Sequence, residues 1–297
     1  MALDGDASGQ QRVTSGNRRG QTPEAIDVVQ SRALQLAGAA AAVTLLLALY
    51  GRSLDLLRTD IPFRASNGRY YWFAVIVASI ALGLVAQRLS WHDQLLANVQ
   101  HRAPLTVAYG AAILPGLVMF AALQFVGWDS RAVIVVAAPL LAGAGVFTAA
   151  VVRHYLLTGD AATLPGARLV HLALTTGVAF LSLSLTRNWM AGPLYTLVVA
   201  TIIAGLLLVQ AFDGVRAYPI RRVAYALAGA CVLGQAAYAL SYWPPSGWYD
   251  GAMLTVCFAV ILLVVDAILT RRISTDIVAR YAGAGVGVCG LLWVIAR

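Results

Sequence analysis

Nine apolar runs, each close to the length that crosses a bilayer, constrain this chain more than any other feature. They fall at 33–50, 70–88, 105–127, 132–152, 168–186, 190–212, 222–243, 251–270 and 279–296. An α-helix needs about 20 residues to cross ~30 Å of hydrocarbon. No water is available there for backbone N–H and C=O groups, so each segment must satisfy its own hydrogen bonds or pair within a closed barrel. Barrel strands alternate apolar and polar residues, whereas these runs are continuous. The expected fold is therefore all-α, a polytopic transmembrane helical bundle of about nine spans with no soluble domain. The ionic content agrees: 60% of residues are hydrophobic and 11% charged, against about 25% charged in soluble domains.

Residues 1–30 are rich in Gly, Ser, Gln, Asp and Arg and show no apolar face, so they are expected to form a disordered cytoplasmic tail. The bundle then occupies 31–297. Nine spans put fourteen of the 21 arginines on the side of the N-terminus and seven on the other. Basic residues concentrate on the cytoplasmic side. The expected location is thus a cell membrane, with the N-terminus cytoplasmic and the C-terminus extracytoplasmic. In this register Trp72, Trp128, Trp189, Trp243, Trp248 and Trp293 fall at the outer boundary and Trp91 at the inner one, the positions of an aromatic belt. A short echo links Arg222-x-Ala-x-Ala-x-x-Gly-x-Cys231 to Arg280-x-Ala-x-Ala-x-x-Gly-x-Cys289. It raises repeated hairpins at 190–243 and 251–297 as one possible organisation.

Composition removes several function classes. All basic residues are arginine, and Glu24 is the lone glutamate. Without lysine there is no P-loop and no Schiff base. Without a second glutamate there is no HExxH zinc helix. The net charge of +8 sits on arginines placed singly or in pairs at the ends of apolar runs, which is not the basic stripe of a nucleic-acid-binding domain. The three cysteines lie inside apolar runs and form no disulfide framework. No metal and no cofactor are expected.

Ionisable groups at membrane depth are costly and are examined first for function. Asp213 ends the sixth run with Arg216 three residues on, a helix-pair spacing. Asp266 lies within the eighth run, five residues before the nearest following arginine, so it requires an arginine from a neighbouring helix or water. His154 and His171 lie at similar depth on consecutive antiparallel helices. Asp213, Asp266, His154, His171 and Arg216 form the candidate polar site at the cytoplasmic rim. The stretch Gln210-Ala-Phe-Asp213-Gly214-Val-Arg216 resembles the start of the CDP-alcohol phosphotransferase motif. Gln210 replaces its first aspartate and the later pair of aspartates is absent, so one carboxylate is left where two metals need several, and that family is set aside. Pro115, Pro139 and Gln235 mark a candidate helix-kink or cavity region, since an internal proline frees a carbonyl. Gly283 and Gly287 form a GxxxG face suited to close helix contact.

The partners expected are the lipid bilayer and a membrane protein seated on the Gly283/Gly287 face. The leading expectation is a non-enzymatic multi-pass component, either a complex subunit or a small permease. Two alternatives remain: a transporter of an apolar or weakly polar solute, and a lipid or isoprenoid-lipid processing enzyme with a cytoplasmic-face site.

Overall fold

The computed structural model describes residues 23–53, 68–96, 105–128, 131–158, 162–188, 192–212, 219–242, 247–270 and 274–296. Among these residues are nine α-helices and no strand: α1 (Pro23–Ser53), α2 (Gly68–Leu96), α3 (Leu105–Trp128), α4 (Ala132–Thr158), α5 (Leu164–Asn188), α6 (Pro193–Ala211), α7 (Pro219–Leu240), α8 (Gly247–Leu269) and α9 (Thr275–Ala296). Each is long and apolar enough to cross a membrane. The protein is a membrane-embedded, multi-pass helical bundle, as its apolar runs require. α1 begins at Pro23, so the end of the expected tail at 1–30 is helical. Proline suits a first helical turn, where its missing N–H has no partner to lose. The remainder of that tail lies outside the described residues.

The first eight helices pack as two four-helix units with the same neighbour order. In the first, α1 lies against α4 and α2 against α3, with α3 also on α4 and α1 on α2. In the second, α5 lies against α8 and α6 against α7, with α7 on α8 and α5 on α6. The units meet where α5 packs on α3 and α4, and where α6 packs on α3. α9 stands outside both units against α8, and its contacts with any other described helix are marginal.

Small residues set how closely the helices approach. A Cβ at Gly83 of α2 would stand 2.7 Å from the Ala112 carbonyl oxygen of α3, and one at Gly116 would stand 2.9 Å from that of Ser79. Ser79-x-x-x-Gly83 thus interlocks with Ala112-x-x-x-Gly116 across an antiparallel pair. The second unit repeats the device. Gly234 of α7 makes room for Thr201 of α6, and Gly205 faces the Ala230 methyl at 3.5 Å. Thr201-x-x-x-Gly205 therefore meets Ala230-x-x-x-Gly234. Helices surrounded by lipid gain little from burying apolar area against one another, so close backbone packing is a main source of their cohesion.

The sequences around the two devices match as well. Val77-Ala78-Ser79-Ile80-x-x-Gly83-Leu84 in α2 corresponds to Val199-Ala200-Thr201-Ile202-x-x-Gly205-Leu206 in α6. This correspondence follows the packing of α2 on α3 and of α6 on α7. Ala226, Ala230 and Gly234 are buried in α7, while Ala284, Gly287 and Val288, which align with Ala226, Gly229 and Ala230 in the echo, are exposed in α9.

The tryptophan belt is only partly realised. Trp72 is 2% exposed and Tyr71 fully buried, and Tyr71 Oη donates to the Leu123 carbonyl at 2.9 Å. Gly51 and Gly127 provide the space, since a Cβ at either would press on the Tyr71 or Trp72 ring. These rings pack between helix ends and do not face headgroups. Trp128 and Trp248 are half-buried and meet edge to face at 5.3 Å.

Gly83→Val and Gly116→Val are each expected to lower stability by about 1–3 kcal/mol, because the obstructing atoms belong to backbone that cannot move alone. Gly38→Ala, where the added carbon meets open space, should stay within about 0.5 kcal/mol of the unaltered chain. Thermal unfolding in detergent compares the three.

Candidate functional site

On the side of the membrane where α1 begins, polar side chains of α5 and α7 meet the end of α6, and α5 pairs with α8. α6 closes with the Phe212 N–H donating to the Leu208 carbonyl at 3.1 Å. The last carbonyls of a helix have no intrahelical donor and carry the negative end of its dipole. Both needs are met by basic groups from neighbouring helices. Arg222 Nη1 of α7 donates to the Phe212 carbonyl at 3.2 Å. His171 Nε2 of α5 lies 3.3 Å from the Gln210 carbonyl and is the donor when Nε2 carries the proton. Phe212, Gln210, His171 and Arg222 are all buried. Thr175 Oγ1 donates to the His171 carbonyl at 2.8 Å, one turn along α5.

A second contact joins α5 to α8. Arg168 Nη2 donates to Asp266 Oδ1 at 2.5 Å. This supplies the arginine that Asp266 lacks on its own helix. Arg168 is half exposed and Asp266 less so. Thr270 Oγ1 donates to the Asp266 main-chain carbonyl at 2.7 Å and continues the polar edge of α8.

Of the candidate residues, Asp266 and His171 therefore lie in the α5–α8 unit, each in a contact between helices. His154 lies one turn before the end of α4, its ring edge-on to the adjacent Tyr155 at 5.9 Å. Asp213 and Arg216 lie outside the described residues. Pro115 and Pro139 are buried within α3 and α4, which continue through them, while Gln235 is on the exposed face of α7.

Sequence reasoning passed over Arg168, Arg222 and Gln210 as binding groups. Their signal was available: each stands within one turn of the end of an apolar run, where a side chain either snorkels out or turns in. On the far side of the bundle, Gln124, Ser182 and Ser184 are polar residues within apolar runs, suited to hydrogen bonds between helices. There Gln124 Nε2 of α3 lies 3.5 Å from Thr186 Oγ1 of α5, which donates to the Ser182 carbonyl at 2.7 Å. Asp250, in the first turn of α8, is fully buried beside Gly251, which packs on Ser184. Among the described residues no three metal-ligating side chains converge.

A family model for a protein of unknown function, DUF5656, matches residues 54–295, from just after α1 to the end of α9. The chain belongs to this family. No curated protein matches it, and no solved structure does either.

The buried cap and the half-exposed bridge should separate in energy. Arg222→Met leaves the Phe212 carbonyl without its donor and should cost about 1–3 kcal/mol. Arg168 and Asp266 should show a coupling of only about 0.2–1 kcal/mol. A double-mutant cycle with Arg168→Gln and Asp266→Asn, read by thermal unfolding, checks the second value.

Proposed function

We propose that this protein is a non-catalytic component of a cell-membrane complex, and that it holds its partner through α9. The observation carrying this reading is the position of that helix. α9 lies outside two four-helix units, with 6% of its spanning window buried. Gly283, Gly287 and Gly290 face open space, and this spacing of four and three residues places them along one side of a helix. A glycine stripe turned to lipid forgoes contact that a second helix would supply. Exposed Val286, Leu291 and Val294 flank it.

The polar rim supports the same reading. Arg222 and His171 complete the end of α6, and Arg168 with Asp266 joins α5 to α8, so these groups hold helices together. The arginine excess favours a cytoplasmic N-terminus and an extracytoplasmic C-terminus. α9 then enters the membrane from the cytoplasmic side with Asp276 and Arg280 at its mouth.

Purification of the full chain from its own membranes in mild detergent tests the proposal. Light scattering is expected to report a stoichiometric second polypeptide. Gly283→Leu with Gly287→Leu should remove at least about 90% of it, because packing at such a face tolerates no added bulk. The thermal midpoint of the chain itself should not move, as both positions are open. A lone monodisperse chain, or a complex indifferent to the double substitution, overturns the reading.

A further inference from the structure

The interface that holds α9 carries two of the three cysteines. Gly285 brings α9 close to α8: a Cβ there would stand 2.6 Å from Val260 Cγ2 and 3.9 Å from Val256 Cγ1. Cys257 follows Val256, and Cys289 lies one turn beyond Gly285. The Cys289 thiol donates to the Met253 carbonyl at 4.0 Å, and Met253 lies one turn before Cys257 on α8, so both cysteines stand at this one contact between α8 and α9. Met253 and Gly290, the residue after Cys289, also line an open crevice completed by Leu240 and Trp293, whose lining is wholly apolar. Two cysteines at one helix contact thus stand next to residues that line an apolar opening.

We propose that Cys257 and Cys289 form a redox-active pair that is oxidised to a disulfide by an organic hydroperoxide dissolved in the bilayer. The Cys289 sulfur attacks the terminal peroxide oxygen and the O–O bond breaks. Its proton goes to the departing oxygen, which leaves as an alcohol, and Cys289 becomes a sulfenic acid. The Cys257 sulfur then attacks Cys289 Sγ, and its proton leaves with the hydroxyl as water. Two thiols are oxidised, one peroxide is reduced, and one S–S bond forms. A disulfide requires Cα atoms about 4.4–6.8 Å apart, a spacing that the Gly285 contact favours by drawing the two backbones together. The crevice sets the choice of oxidant. An apolar hydroperoxide partitions into hydrocarbon and concentrates beside the two sulfurs, whereas hydrogen peroxide stays largely in water. The product pins α9 covalently to α8.

The test uses the full chain in phosphatidylcholine nanodiscs, treated with cumene hydroperoxide or hydrogen peroxide and followed by maleimide mass tagging. Cumene hydroperoxide is expected to reduce the three free thiols to one, with Cys231 retained and a Cys257–Cys289 cross-linked peptide in the digest. Its rate should exceed that with hydrogen peroxide by about tenfold or more, because the apolar oxidant partitions to the depth of the thiols. Cys257→Ser should leave Cys289 as a sulfenic acid that dimedone captures, and Cys231→Ser should behave as the unaltered chain does. Absence of the cross-linked peptide, prior oxidation of exposed Cys231, or equal rates with the two peroxides overturns the proposal. All readouts come from the isolated chain, so the result is independent of whether a partner binds α9.

Discussion

The close approach of helix backbones at glycine and alanine is the interaction on which this structure depends. In water, burial of side chains would drive these helices together. In lipid that gain is small, and dispersion between tightly fitted surfaces takes its place. The contacts of Gly83 with Ala112 and Gly116 with Ser79 are short because no side chain intervenes, and Gly234 leaves room for the Thr201 side chain. Rings then fill the wider ends, as Tyr71 and Trp72 do beside Gly51 and Gly127. The abundance of small residues is thus a structural requirement, whatever bias in base composition also favours them.

Polar groups take a second role in this scheme. α6 has 19 residues and ends among buried neighbours. A helix ending there exposes carbonyls to a medium without donors. His171 and Arg222 answer that need from the helices on either side. The same contact that satisfies α6 ties α5, α6 and α7 together. The Arg168–Asp266 bridge then draws α8 to α5, so the second unit is tied on this side by its basic groups.

The spans were legible because a run of apolar residues long enough to cross lipid has few alternatives. Asp266 was legible as a residue in need of a foreign arginine, but not which one, since Arg168 lies 98 positions away. Orientation about a helix axis was harder. Gln235 looked suited to an interior because it is polar, yet it sits on the outer face of α7. Trp72 looked suited to a headgroup belt because it lies at a span end, yet it is enclosed. In chains with few charges, little in the sequence distinguishes lipid-facing from helix-facing sides. Repeats met the same difficulty. The echo ending in Cys231 and Cys289 has more identical letters than one expects at first sight, but alanine and glycine recur too often to specify a partner. The correspondence of Ser79-Gly83 with Thr201-Gly205 became visible only once both were seen gripping the next helix.

The neighbour order has a consequence for how the chain is made. α1 emerges first, but the helix it packs on most extensively is α4, so it must wait in the membrane through the insertion of two others. α5 waits in the same way for α8. In each unit the middle pair is neighbouring in the chain, and the outer pair is joined only when the fourth helix has been made. Synthesis thus proceeds as two successive enclosures, with α1 held meanwhile by α2 and α3, and α5 by α3, α4 and α6. α9 arrives after both have closed, when a surface to receive it already exists.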